Sequence, residues 1–201
     1  MENKVLLIFT KNPELGKCKT RLAKTLGDEK ALSIYCQLLE HTRTFSARVD
    51  ADKHVYYSSN IPENDLWSTN DFERKLQSEG DLGEKMSSAF KHSFEAGYRK
   101  VVIIGSDCAE INEQDIDKAF DELDSKDVVL GPAIDGGYYL LGMREFYPFL
   151  FSDKSWSTPN LINETISDLI KNGKSYQLLE EKSDIDYEED LERTGFVSFE
   201  Y

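Results

Sequence analysis

The chain has 201 residues, 24 basic and 38 acidic, for a formal net charge of −14. That length suits a single domain, residues 1–201, large enough to fold without disulfides or a structural metal. So acidic a chain is repelled by phosphate backbones, which argues against nucleic-acid binding, and no apolar run reaches the roughly 18 residues of a membrane span.

Three cysteines (Cys18, Cys36, Cys108) form no CxxC pair, as expected in a reducing compartment. The apolar run at residues 5–9 is too short for a signal peptide's core, so the expected location is cytoplasmic. The charge is unevenly spread. Residues 1–100 hold 16 basic and 15 acidic side chains, residues 101–201 hold 8 and 23. Within this acidic chain Lys11, Lys17, Lys19, Arg21 and Lys24 cluster with only Glu14 among them, which marks a local anion site or a solvated helix start.

In chain order, residues 5–9 (Val-Leu-Leu-Ile-Phe) read as a strand buried on both faces. A polar loop over 10–20 follows. Then comes a long helix, with Asp28 as its expected cap and Leu32, Tyr35, Leu38, Leu39, Thr42 and Phe45 at spacings of three and four. Residues 54–58 suggest a second strand, whereas 60–80 are polar and give no clear pattern. Residues 82–96 suggest a helix stopped by Gly97. Further strands are expected at 101–104, 128–130, 137–143 and 176–179. Helices are expected at 114–123 and 161–170, and a last short one begins near 186–191. Strands alternating with helices predict an α/β fold with a mostly parallel sheet and helices on both faces.

Ligands of open α/β sheets bind at the carboxyl ends of the strands, so the segments after Phe9, Ile104 and Leu130 should be neighbours. After the first strand, Lys11, Gly16, Lys19, Thr20 and Arg21 offer charge, a close-approach glycine and a helix start to phosphates. Neither a P-loop nor a GxGxxG motif is present. After the strand at 101–104 stand Gly105, Ser106 and Asp107. A carboxylate there suits a hard cation bridging to phosphates, or else caps the next helix. Asp135-Gly136-Gly137 is either a tight turn or a ligand wall. Asp186, within Asp184-Ile185-Asp186, could be a second cation ligand or part of a solvated acidic face. Asp115 and Asp117 read as surface residues. Trp67 and Trp156 could stack on a base or sugar, with packing the simpler reading. Cys18 in the basic loop has a thiol placed to ionise, but no oriented base accompanies it.

Taken together, Phe9-x-Lys11-x-Pro13-x-x-Gly16-x-x-Lys19-Thr20-Arg21-Leu22, Gly80-Asp81-Leu82-Gly83-Glu84-Lys85-Met86, Gly105-Ser106-Asp107-Cys108, Asp135-Gly136-Gly137-Tyr138-Tyr139-Leu140-Leu141-Gly142, Trp156-Ser157-Thr158 and Asp184-Ile185-Asp186 resemble the DUF2064 family. That family is named for glycosyltransferases and placed among the nucleotide-diphospho-sugar transferases of GT-A fold. More distantly the chain resembles guanylyltransferases of small phosphorylated acceptors. It departs from the family pattern at Ser106 and Ala109, where Thr and Pro are common, and from the Gly-rich first loop usual in sugar nucleotidyltransferases, having Lys11-Asn12-Pro13 and only Gly16 there.

The resemblance implies a Rossmann-like GT-A domain binding an NTP or nucleotide-sugar with Mg²⁺ or Mn²⁺, and a small-molecule acceptor. Lys19, Arg21 and Asp107 would be catalytic. Lys11, Gly16, Lys19, Thr20, Arg21, Asp81, Gly83 and Ser106 would bind the nucleotide and its phosphates. Asp135, Gly136, Gly137 and Trp156 would line the acceptor or sugar pocket, and Asp107 with Asp186 would hold the metal. The resemblance leaves nucleotidyl and glycosyl transfer open, and a non-catalytic nucleotide-binding module is the alternative. It gives no oligomeric state.

Overall fold

The computed structural model describes residues 3–196. Its elements are β1 (Lys4–Thr10), α1 (Thr20–Leu26), α2 (Asp28–Ser46), β2 (Asp52–Tyr57), β3 (Glu73–Leu76), α3 (Leu82–Glu95), β4 (Lys100–Gly105), α4 (Glu113–Glu122), β5 (Val128–Pro132), β6 (Tyr138–Met143), α5 (Leu161–Lys171), β7 (Tyr176–Leu178) and α6 (Glu188–Thr194), with a single 3-10 turn at Pro148–Leu150. The strands form one sheet in the order β3-β2-β1-β4-β6-β5-β7. β6 runs antiparallel to both its neighbours, β4 and β5; the remaining pairs are parallel.

The continuous apolar runs explain the layering. Alternate side chains of a strand point to opposite faces. Leu6 and Ile8 of β1 pack with Tyr35, Leu39 and Phe45 of α2 and Ile116 and Phe120 of α4. Val5 and Leu7 pack on the other side with Met86 and Phe90 of α3 and Leu169 of α5. Each such fully buried aliphatic side chain contributes about 1.5–3 kcal/mol relative to exposure, so the central strands are the most strongly held part of the molecule. The fold is the expected α/β sheet with helices on both faces.

Three local expectations are corrected, and one segment left without a pattern is resolved. The loop after β1 ends at Thr20 as expected, but a separate seven-residue helix, α1, stands between it and the long helix. Gly27, not Asp28, occupies the cap of α2, at φ 82°, and Asp28 lies inside the first turn. Residues 60–80 hold an edge strand, β3, whose Glu-Arg-Lys-Leu sequence lies at the sheet margin, where charged side chains stay in water. Asp115 is not a free surface carboxylate: it accepts from the Asn112 backbone N–H at 2.9 Å and pairs with Lys182 at 3.2 Å. Asp117 is exposed as expected. No helix among the described residues is long and apolar enough to cross a membrane.

Candidate functional site

The chain leaves β1 toward β2 on one side of the sheet, and β4 lies on β1's other side. This reversal of strand order is the crevice where α/β sheets bind ligands. Phe9 pairs with Gly105 across it, so the segments after β1 and β4 leave the sheet side by side. Gly105 leaves room for the next functional group: a Cβ there would meet Asp107 Oδ1 at 2.9 Å. Asp107 does not cap a helix, since Asn112 does that for α4.

Lys19 is the residue before α1 and has left-handed backbone angles, φ 47° and ψ 47°, a sparsely populated region for a non-glycine residue. Its ammonium reaches Asp107 Oδ2 at 2.9 Å and Asp186 Oδ1 at 3.2 Å. The lysine side chain is 5% exposed, against 39% and 34% for the two carboxylates. Arg21 donates from Nη1 to Asp186 Oδ2 at 2.8 Å, and its guanidinium lies 5.9 Å from the Tyr187 ring centre.

Asp186 arrives from the far end of the chain because residues 182–186 are stitched onto this edge. Cys108 and Asp184 form an antiparallel bridge, and the Ile185 N–H donates to Asp107 O at 3.1 Å. In an extended segment residues i and i+2 share a side. Ile185 is therefore fully buried in the cluster under α1 and α2, and Asp184 and Asp186 turn the other way. Lys182, 8% exposed, anchors the segment by donating to Glu110 O at 3.1 Å and pairing with Asp115. Asp190 Oδ2 accepts the Asp186 and Tyr187 N–H groups at 2.8 and 2.7 Å.

The electrostatics follow from this crowding. Burial by itself would lower the Lys19 pKa, but Asp107, Asp186 and Asp184 together raise it, so the ammonium is charged. Burial opposes ionisation of Asp107 too, yet Lys19, with help from Lys11, holds it below the usual carboxylate range. Asp184 goes the other way: burial and its neighbour Asp107 push its pKa well up against the pull of Lys19, with Asp135 and Asp186 adding to the rise. The Asp135 carboxylate thus shares the field of this centre.

The loop after β1 is clamped rather than free. The Tyr35 hydroxyl accepts the Lys11 N–H at 2.9 Å, donates to Lys11 O at 3.1 Å, and meets Thr10 Oγ1 and Ser106 Oγ at 3.2 and 3.3 Å. Asn12 binds the loop after β2 through the Ser59 N–H and hydroxyl and Asn60 O. The Cys18 thiol, 3% exposed, donates to Asn12 O at 3.2 Å, which gives it a structural task instead of a nucleophile's. Burial and Asp184 push the Cys108 thiol up to about 12. Lys11 and Gly16 are exposed on the loop, and Thr20 is exposed at the start of α1.

The other expected residues form a second group. Asp81 caps α3 by accepting the Glu84 N–H at 2.9 Å while Glu84 accepts the Asp81 N–H. Trp156 lies over Gly83, where a Cβ would come within 2.4 Å of the indole. Gly136, at φ 88°, abuts Pro159 O at 2.1 Å from its would-be Cβ, and Gly137 N–H donates to Asp135 Oδ1 at 2.9 Å. Gly83 thus packs on Trp156, and Gly136 packs on Pro159, three residues further along the same loop. Among the described residues no hydrogen bond or ion pair joins Asp81, Gly83 or Trp156 to Lys19, Arg21, Asp107 or Asp186.

Two cavities border the site. One of about 310 Å³ lies between residues 10–14 and the loop carrying Asn60, Asp65 and Trp67. The other, about 130 Å³, is lined by Arg21, Ile134, Asp135, Asp184, Asp186 and Tyr187, with Arg193. No set of three or more Cys, His, Asp or Glu side chains among the described residues is gathered as a ready metal shell. The sequence reasoning missed Asp184, for which the Asp-x-Asp alternation was the available signal, and the clamp role of Tyr35, for which there was none.

Comparison with known proteins gives a consistent picture. The family model "uncharacterized protein conserved in bacteria (DUF2064)" matches residues 41–158. The chain is 32% identical to a Desulfovibrio desulfuricans G20 protein assigned as a nucleotide-diphospho-sugar transferase, over 93% of this chain and 84% of that one, with a TM-score of 0.87. It shares its fold with the inositol-1-phosphate CTP transferase of T. maritima (14% identity, 97% and 95% covered, TM-score 0.61). It also shares it with CMP:2-keto-3-deoxy-manno-octonic acid synthetase complexed with CTP (10% identity, 96% and 97% covered, TM-score 0.58). A search of curated proteins returns no match. With more than half of its length matched by that model and a relative this similar along nearly all of it, the chain belongs to the DUF2064 family.

Proposed function

We propose that the protein is a transferase that moves a nucleotidyl or glycosyl group from an NTP or nucleotide-sugar to a small acceptor, with Mg²⁺ or Mn²⁺. The observation that carries this reading is the convergence of Lys19, Arg21, Asp107 and Asp186 at the strand-order reversal, with Lys11 nearby. The 32% identical protein assigned as a nucleotide-diphospho-sugar transferase supports it, and so does the shared fold of the inositol-1-phosphate CTP transferase.

The donor set fits a hard cation. Asp107 Oδ2 and Asp186 Oδ1 both lie within hydrogen-bond distance of one point, now held by the Lys19 ammonium. Mg²⁺ is commonly held by one or two carboxylates together with substrate phosphates and water, so two carboxylates suffice. Bound there, the cation would neutralise phosphate charge. Arg21 and Lys19 would donate charge-assisted hydrogen bonds to phosphate oxygens and offset the charge that develops on the leaving group. α1 has only seven residues, so phosphate attraction rests on these side chains more than on a helix dipole. Gly83 with Trp156, and Gly136 with Pro159, would bound the sugar or acceptor, and the smaller cavity beside Asp135 would admit it.

In nucleotidyl transfer an acceptor oxygen attacks the α-phosphorus and the bond to the bridging oxygen breaks, releasing pyrophosphate. In glycosyl transfer the acceptor attacks the sugar carbon and a nucleoside diphosphate leaves. Three basic side chains on one loop and helix start favour a triphosphate. A thermal-shift panel of the four NTPs and of UDP-, GDP- and dTDP-sugars, each with Mg²⁺, Mn²⁺ or EDTA, tests the reading. A ligand at 100 times its Kd adds about 2.7 kcal/mol of stability. A cation-dependent shift with an NTP, followed by pyrophosphate release with an acceptor, is the expected result; no shift with any donor would remove the proposal.

A further inference from the structure

Lys19 is placed oddly for a residue whose only task is to meet phosphate. Its side chain is 5% exposed, whereas that of Arg21, two residues on, is 54% exposed. The ammonium lies behind the carboxylates, on the single point that Asp107 Oδ2 and Asp186 Oδ1 both reach at 2.9 and 3.2 Å. A lysine ammonium is a compact point charge on a flexible four-carbon stem. It can fill a cation's place and can also leave it. Lys19 stands at the junction of loop and helix with φ 47°, a backbone conformation that a non-glycine residue keeps only where its surroundings hold it.

We infer that Lys19 is a built-in counter-ion that holds the divalent cation's place in the free protein and gives it up when nucleotide phosphates draw the ammonium away, so that cation and nucleotide enter together. The inference rests on the proposed reading of Asp107 and Asp186 as cation ligands. Two positive charges cannot share this point, because a partly buried pair is screened far less than one in water. The Asp107 and Asp186 carboxylates still attract cations, while Lys19 denies them the shared position. Phosphates provide the competing anion, and Arg21 on the rim is the first donor they meet. The consequence is selectivity. A free metal ion is turned away, and an acceptor without a nucleotide finds no loaded centre.

The test is Mn²⁺ binding followed by the spin-resonance signal of the free ion. It uses Mn²⁺, alone and then with tripolyphosphate, on the natural protein, on Lys19→Met, on Asp107→Asn and on the double variant. Lys19→Met, which keeps the side chain's length without its charge, should bind Mn²⁺ at least ten-fold more tightly than the natural protein, and the double variant should lose that gain. If Lys19→Met binds no more tightly while Asp107→Asn weakens binding in both backgrounds, the cation site stands and the place-holding role is overturned. If no form binds Mn²⁺, with or without tripolyphosphate, the cation reading fails and the inference with it. A second measurement needs no variant. The ¹⁵N resonance of the Lys19 ammonium should stay in place when Mg²⁺ is added alone and move when Mg²⁺ is added with tripolyphosphate. Movement with Mg²⁺ alone overturns the inference.

Discussion

The indole of Trp156 rests on the backbone of Gly83, near enough that a Cβ at Gly83 would lie 2.4 Å from Cζ2. This contact explains why two motifs far apart in sequence behave as one. The loop around Trp156 is fixed from the other side: Lys154, whose side chain is fully buried, pairs with Asp168, and the Ser155 N–H donates to Glu164 at 3.0 Å. The ring therefore has little freedom to retreat. Gly83→Ala should cost about 1–3 kcal/mol through overpacking. In a Trp156→Ala background the same change should cost nothing, or stabilise, because alanine is the better helix former by about 1 kcal/mol. Urea unfolding of the four proteins reads this as non-additivity. Equal costs in both backgrounds would mean that the contact is not what requires glycine.

Asp107→Asn removes the charge that faces Lys19 but leaves Asp186 to pair with it. Turnover should fall by at least about 10²–10³, the usual loss of one transition-state contact, with the far-ultraviolet dichroism unchanged. Turnover within a factor of a few of the natural protein would take Asp107 out of the reaction.

Tyr35→Phe deletes one hydroxyl and with it the four contacts that bind Thr10 and Lys11 to α2 and to Ser106. A buried donor and acceptors are left without partners, at about 1–3 kcal/mol. Hydrogen exchange at the Lys11 amide should quicken well ahead of exchange in β1 itself. Unchanged protection at Lys11 would show that the loop is held by Asn12 instead.

Asp127 sets a pH dependence of stability at the opposite margin of the sheet. Burial pushes its pKa up, but the Ser175 hydroxyl and N–H, at 2.7 and 2.8 Å, and the Arg144 guanidinium, at 2.7 and 3.0 Å, pull it below the usual carboxylate range. A carboxylate whose folded pKa is lowered contributes stability in full above its unfolded value, about 3.9, and loses it as pH falls through the folded value. Asp127→Asn should therefore lose about 1–3 kcal/mol at neutral pH. The gap to the natural protein should narrow steadily on acidification below about pH 4. A gap that stayed constant from pH 7 to pH 2 would refute the assignment.

Much of the fold is legible in the residues because the strands at 5–9, 101–104 and 128–130 are unbroken apolar runs, a pattern forced by burial on both faces. β3 escapes notice for the complementary reason: an edge strand carrying Glu73, Arg74 and Lys75 has no apolar signature. The antiparallel direction of β6 was readable in principle, since only five residues separate Pro132 from Tyr138 and a parallel crossover needs about a dozen. At the site, Lys19, Arg21, Asp107 and Asp186 were singled out by charge and by position after a strand or in an acidic run, and the structure brings these four together. The partnership of Gly83 with Trp156 depends on tertiary packing between α3 and the loop before α5, and no local spacing encodes it. Tyr35 sits on an apolar helix period, and its hydroxyl's task is invisible there.

Lys19 and Asp186 are separated by 167 positions in the chain yet hold the same point. During synthesis the six strands through Met143 can emerge and pair long before Asp184 and Asp186 leave the ribosome. A nascent chain at that stage presents a nearly finished sheet whose Lys19 meets only Asp107. The acidic half of the centre is then supplied by a strip stitched on last, through Lys182 and the bridge to Cys108. Completion of the charged centre is thus a late event that reports on the arrival of residues 182–186.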